Sequence, residues 1–199
     1  MIRIGWRKAD PTRDDEAASI RAWLGGRSLV MIGLMGCGKS SVGRRLATGL
    51  GVPFVDADDA IETAADMTIP EIFALHGESY FRNGERRVIG RLLAGGPQVL
   101  ATGGGAYMNA ETRTNIRNAG YSIWLKAELQ VLLRRVMKRE NRPLLKADDP
   151  AAVMRQLMDV RYPVYADADL TIESRDVPHE VIVEEIIATL ARIASGQPA

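Results

Sequence analysis

Residues 33–40 read GLMGCGKS, a match to the spacing G-x-x-x-x-G-K-[ST], directly after the apolar run Leu29-Val30-Met31-Ile32. That order suits a phosphate-binding loop set between a buried strand and a helix. Glycines let the backbone curl so that successive N–H groups point inward at a polyphosphate. The N-terminal end of a helix beginning near Lys39 adds positive potential there. Lys39 can reach the β- and γ-phosphates and the Ser40 hydroxyl can ligate Mg²⁺, with Gly36, Cys37, Gly38 and Ser41 as further nucleotide contacts. A dinucleotide-binding loop fits less well. Gly36-x-Gly38 would need a third small residue at position 41, held by Ser41, and Lys39-Ser40 would have no task.

Four further segments carry residues suited to chemistry. Asp56, Asp58 and Asp59 follow the apolar Phe54-Val55. Asp56 and Asp58 share a side if the strand extends that far, and can hold Mg²⁺ waters or bind a substrate hydroxyl; alternatively Asp58 or Asp59 caps the next helix. Arg82 and Glu85, at i and i+3, either form a surface pair or aim a guanidinium fork at a substrate carboxylate. Gly103-Gly104-Gly105 after the apolar strand ending in Ala101-Thr102 reads as a backbone that must pass close to a ligand, or as a plain flexible loop. The basic stretch 134–146, containing Arg135, Arg142 and Pro143, is either a solvated face or a lid whose arginine arrives over the γ-phosphate. Arg161, where a helix ends in Arg161-Tyr162-Pro163-Val164-Tyr165, is another anion-binding candidate.

The elements that would position these residues alternate in type. Strands are expected at 29–34, 53–56, 98–102, 121–125 and 170–172. Helices are expected at 39–49, 59–65, 70–76, 78–95, 110–118, 128–138, 150–160 and 179–194. Several strands are continuously apolar and β-branched, as in a parallel sheet covered on both faces, so the fold class is a doubly wound α/β domain with its ligand crevice at the strands' carboxyl ends. Residues 1–15 look loosely ordered, and 16–24 form a short helix with Ile20, Trp23 and Leu24 on one face, ended by Gly25-Gly26. The division is an N-terminal extension over 1–26 and a catalytic domain over 27–199. The tail 195–199 is expected to fray.

Composition narrows the function classes. Lys plus Arg number 26 against 25 Asp plus Glu, and a charge of +1 argues against a nucleic-acid partner held through phosphates. One cysteine, Cys37, precludes an intrachain disulfide and fits a reducing compartment. In the loop it reads as a small filler. No run approaches the roughly 20 apolar residues of a membrane span, and residues 1–15 hold acids and no apolar signal core. A cytoplasmic monomer without a membrane or nucleic-acid partner is expected.

Taken together, GLMGCGKSS, FVDADDAIE, IPEIFALHGESYFRNGE, LATGGGA, NRPLL and DVRYPVY resemble the shikimate kinase family in order and spacing, over about residues 28–175. The resemblance implies a P-loop kinase fold of the nucleoside-monophosphate-kinase type, with a five-stranded parallel sheet, helices on both faces and a mobile lid near residues 136–148. It implies ATP as co-substrate, Mg²⁺, and phosphorylation of the shikimate 3-hydroxyl. Carried over by position, Lys39 and Ser40 bind ATP phosphate and Mg²⁺, and Asp56 helps hold Mg²⁺ through water. Asp58 binds the shikimate hydroxyls as base or positioner, and Arg82, held by Glu85, binds the carboxylate. Gly103, Gly104 and Gly105 line the shikimate pocket, Arg161 also binds shikimate, Arg142 contacts the transferring phosphate, and Arg135 stacks on adenine. Two departures stand out: the extension before the first strand lacks a counterpart in minimal members, and Tyr162-Pro163-Val164 differs from the commoner pattern. A kinase for another hydroxylated carboxylate such as gluconate, or a silent shikimate- or nucleotide-binding sensor, are the alternatives. The intact set Lys39, Ser40, Asp58 and Arg142 argues against the sensor.

Overall fold

Ser28–Ile32 forms β1, buried along its whole length, with β3 (Val99–Ala101) on one side and β4 (Gly120–Lys126) on the other. β2 (Phe54–Asp56) pairs outside β3, and β5 (Leu170–Glu173) pairs outside β4. All pairings are parallel, and the order is β2-β3-β1-β4-β5. This is a computed structural model, and it describes residues 11–138 and 149–197. The lid expected near 136–148, with Arg142, therefore lies outside the described residues from 139 onward.

The helices are α1 (Pro11–Leu24), α2 (Lys39–Leu50), α3 (Ala57–Ala65), α4 (Ile69–Ala94), α5 (Ala110–Ala119), α6 (Leu129–Met137), α7 (Pro150–Tyr165) and α8 (His179–Ala194). The expected five strands and doubly wound α/β class are found. The chain leaves β1 toward β2 on one side and later crosses from β3 to β4 on the other. The crevice between the carboxyl ends of β1 and β3 is thus the topological switch point, where such sheets bind ligands. Leu29, Val30, Met31 and Ile32 of β1 and Ile123 and Leu125 of β4 form its buried centre, covered by Leu46 and Leu50 of α2 and Ile186 and Leu190 of α8.

The expected break between helices 70–76 and 78–95 is present within α4. Gly77 sits at φ 78°, ψ 175°, a conformation open to glycine and costly for other residues. Upstream, Thr68 and Glu71 close a reciprocal capping box on the first turn.

Three expectations need correction. Residues 11–15 are helical, because α1 starts at Pro11, which needs no N–H donor at a helix start. That helix is docked: Ala17, Ile20 and Leu24 are buried in the main core, and Trp23 meets Tyr121 edge-on at 5.0 Å. β2 stops at Asp56, and Ala57 already belongs to α3, so Asp56 and Asp58 do not share a side of an extended strand. The last turn of α7 continues through Pro163 to Tyr165, so the helix does not stop near residue 160.

Because burying Ile20 and Leu24 contributes about 1.5–3 kcal/mol each, removing residues 1–24 is expected to lower the melting temperature by several degrees. No α1 residue lines the crevice, so the kcat of the folded fraction is expected to stay unchanged. Melting and initial rates on the truncated chain, measured side by side, check both halves.

Candidate active site

The loop after β1 curls through three glycines in the left-handed region, Gly33 (φ 136°), Gly36 (φ 83°) and Gly38 (φ 101°), and Gly38 is the N-cap of α2. Space also matters at Gly36, where a Cβ would stand 2.9 Å from Val136 Cγ2 and 3.2 Å from the Leu132 carbonyl oxygen. Cys37 is buried beneath the loop, consistent with a filler. Lys39 Nζ donates to the carbonyls of Gly33 (2.8 Å) and Leu34 (3.1 Å), folding its charge back across the loop.

Next to this loop, Ser40 Oγ donates to Asp56 Oδ2 at 2.7 Å. The other Asp56 oxygen accepts from the Asp58 N–H at 3.1 Å, so Asp56 is the cap of α3, a role expected for Asp58 or Asp59. Freed from capping, the Asp58 carboxylate faces the crevice. Its pKa is pushed up to about 6 by burial first and the charge of Asp56 second, against the pull of Lys39.

Asp58, Arg82, Glu85 and Arg161 converge on Gly103-Gly104-Gly105 at the end of β3. All three glycines lie outside the left-handed region, so conformation does not demand them. Space does. A Cβ at Gly103 would stand 2.8 Å from Glu85 Oε1 and 3.0 Å from Asp58 Oδ1, and one at Gly104 would stand 3.2 Å from Arg161 Nη1. At Gly105 it would stand 2.7 Å from Arg82 Nη1. The triple glycine is the floor on which two carboxylates and two guanidinium groups from α3, α4 and α7 are packed.

Arg82 is held from both sides, by Glu85 Oε2 at 2.8 Å and Glu78 Oε1 at 3.2 Å. Glu85 is buried, and its pKa is raised by that burial despite Arg82 and Arg161. Its second oxygen, Oε1, has no hydrogen-bond partner among the described residues. Gly105→Ala is expected to displace the Arg82 guanidinium, which Glu85 and Glu78 keep from swinging away freely. Affinity for a carboxylate ligand of this pocket should fall about tenfold, the scale of one weakened charge-assisted bond, with melting little changed; calorimetric titration of that ligand reads it.

Two residues were missed from sequence. The Tyr165 hydroxyl donates to the Gly104 carbonyl and is also hydrogen-bonded to Arg161. It therefore fixes both the glycine floor and the arginine above it. Burial pushes its pKa up to about 12, so it stays a donor. His179, at the first turn of α8, lines the crevice beside Gly38. Tyr165 had a signal in its place one turn after Arg161; His179 had none.

Arg135 Nη1 donates to Ser174 Oγ at 2.8 Å and lies 3.4 Å from the carbonyl oxygens of Gly36 and Cys37, stitching α6 to the phosphate loop. One open cavity of about 410 Å³ runs from Arg135, Lys138, Ser41 and His179 past Lys39 and Ser40 to Asp58 and Gly104. The structure thus brings together every expected site residue that falls within the described residues; Arg142 falls outside them.

A parallel sheet with a phosphate loop at its switch point, continuous with a pocket of opposed carboxylates and arginines, defines the class of P-loop small-molecule kinases. Comparison with known proteins makes the class particular. The family model described as shikimate kinase matches residues 35–191. A shikimate kinase of Rhodopseudomonas palustris is 61% identical over 178 residues, 89% of this chain and 88% of that one. One of Bradyrhizobium diazoefficiens is 57% identical over 189 residues, 95% and 91% of the two chains. The solved shikimate kinase of Acinetobacter baumannii in complex with shikimate superposes with a TM-score of 0.81 at 35% identity, covering 89% of this chain and 98% of that one. The chain belongs to the shikimate kinase family.

Proposed function

We propose that the chain transfers the γ-phosphoryl group of ATP to the 3-hydroxyl of shikimate, giving shikimate 3-phosphate and ADP. The observation that carries this reading is the glycine floor after β3, which packs Asp58, Arg82 and Arg161 against the end of the strand beside the phosphate loop. A planar carboxylate suits two convergent guanidinium groups, and a hydroxyl suits Asp58.

The roles follow from position. Lys39 leaves its carbonyl partners to meet the β- and γ-phosphates. Arg82 and Arg161 fix the substrate carboxylate, which aims the hydroxyl at Asp58. With its pKa near 6, Asp58 is ionised at neutral pH yet basic enough to take the hydroxyl proton as the bond to phosphorus forms. Arg135, held by its edge, offers the flat guanidinium face that stacking on adenine requires. Arg142 is assigned to the transferring phosphate, delivered by the lid. Positioning and electrostatics carry the rate, since phosphoryl transfer asks little covalent chemistry of the protein.

Mg²⁺ fits the donor set. No cluster of three or more His, Cys, Asp or Glu side chains suited to a metal occurs among the described residues. A hydroxyl and a carboxylate in contact, Ser40 and Asp56, match an ion that takes one or two protein oxygens and completes its shell with phosphates and waters. Bound there, Mg²⁺ would neutralise developing charge on the β- and γ-oxygens.

No described helix is long and apolar enough to cross a membrane. We assign the chain to the cytoplasm as a monomer, with residues 27–199 as the catalytic domain and α1 docked on its surface. The buried, unpaired Cys37 supports a reducing compartment.

Assaying phosphate transfer to shikimate and gluconate side by side under saturating Mg-ATP tests the reading. Turnover of gluconate alone, or tight shikimate binding with no turnover, would replace it with one of its rivals. Arg82→Ala is expected to raise the shikimate Kd about a hundredfold through loss of a bidentate charged pair, while ATP binding changes little. Equal losses for both ligands would remove Arg82 from the carboxylate.

A further inference from the structure

His179 is a titratable group of the crevice that the proposed chemistry leaves without a task. Its ring lines the cavity beside the phosphate loop, where a Cβ on Gly38 would lie 3.8 Å from both its Cδ2 and Nε2. Gly38 is the last residue of the phosphate loop before α2, so the ring borders the space where the loop's N–H groups would gather phosphate. The ring is half-buried and makes no hydrogen bond among the described residues.

We propose that His179 is a direct nucleotide contact, its ring hydrogen-bonding a phosphate oxygen of the nucleotide seated in the loop. The proposal rests on the kinase reading above. Charge explains why the contact is coupled to binding. Around His179 stand Arg45 of α2 and Arg135 of α6, with the acid Glu180 next to it on its own helix, itself paired to Arg45 at 2.8 Å. The same cavity is lined by Lys39, Lys138, Asp56 and Asp58. Burial and the two arginines hold the ring below its ordinary pKa, only partly offset by Glu180, so it is neutral at pH 7. A polyphosphate reverses that balance. Its negative charge offsets Arg45 and Arg135, and the ring takes a proton from solvent and becomes a donor at both nitrogens. By linkage, binding of nucleotide then tightens as pH falls.

The chain has two histidines, and the other, His76, is stacked on Tyr80 in α4, so it serves as an internal control. Proton NMR of the two imidazoles, titrated from pH 5 to 8.5 without and with saturating Mg-ADP, follows the ring directly. His179→Gln assigns the resonances. The His179 midpoint is expected to move up by about one pH unit with ADP, equivalent to a tenfold coupling, while that of His76 stays fixed. In calorimetry, His179→Gln is expected to bind ADP roughly threefold to fivefold more weakly than the parent at pH 6 and nearly as well at pH 8.5, with shikimate binding unaltered. An unmoved His179 midpoint in a protein that binds ADP, or equal ADP affinity of parent and variant at pH 6, overturns the inference and leaves the kinase reading standing. Failure of the parent to bind ADP at all overturns both.

Discussion

Replacing Lys39 by methionine is expected to cut kcat for shikimate phosphorylation by about a thousandfold, or roughly 4 kcal/mol of transition-state stabilisation. Nζ is the cation able to reach the β- and γ-phosphates from within the loop itself. It donates to the Gly33 and Leu34 carbonyls, so its charge is held over the place where phosphate would bind. Methionine keeps most of the stem and removes all three donors. The curl of the loop survives, because it is set by the positive φ of Gly33, Gly36 and Gly38. The inward N–H groups remain as well, so ADP affinity is expected to fall far less than kcat. Loss of two hydrogen bonds to carbonyls costs about 1 kcal/mol each, which lowers melting by a few degrees without unfolding the chain. Initial rates, ADP calorimetry and a melt on one preparation check the three parts. A variant keeping more than a tenth of the parent's kcat would take Lys39 out of phosphoryl transfer.

The phosphate loop was legible because its signal is local: three glycines, a lysine and a serine at fixed spacing between an apolar run and a helix. The strands were legible for a similar reason, since continuous apolar segments in a covered parallel sheet leave few other readings. Even the break at Gly77 showed in sequence. What escaped depends on contacts between distant segments. Pro11 to Asp15 is polar and carries no helical period, and α1 is held by Ala17, Ile20 and Leu24 docking on the domain. Alternation places Asp56 and Asp58 on one strand face only if the strand reaches residue 58. β2 ends two residues short of that, at Asp56, and Asp56 becomes the cap of α3. The triple glycine was read as a close approach to a ligand. Its geometric requirement is the packing of Glu85, Asp58, Arg161 and Arg82, which come from three helices. Periodicity reports which face of an element is buried; it carries no information on which strand ends become neighbours.

Asp58→Asn is expected to abolish turnover and stabilise the fold at neutral pH, a combination that a purely structural carboxylate would not give. Loss of the base should cost about a hundredfold to a thousandfold in kcat. The stability effect follows from the raised pKa, about 6 in the folded chain against 3.8 for the unperturbed group. A carboxyl with its folded pKa raised contributes stability that is fully present below pH 3.8 and lost as pH rises through 6. Above that point the parent holds a charge which burial and Asp56 disfavour. Two pH units would correspond to nearly 3 kcal/mol. The side chain is only half-buried and Lys39 lies close, so screening reduces this to about 1 kcal/mol. Asparagine keeps the shape and carries no charge at any pH. Parent and variant are therefore expected to melt nearly together at pH 4, with the variant ahead by a few degrees at pH 7.5, both without Mg²⁺. The same carboxyl governs the rate, so kcat/KM of the parent is expected to fall as pH drops below about 6. A melting difference of equal size at both pH values would show that the charge of Asp58 is not its source. Full activity in the asparagine variant would show that the shikimate hydroxyl is aimed and deprotonated without it.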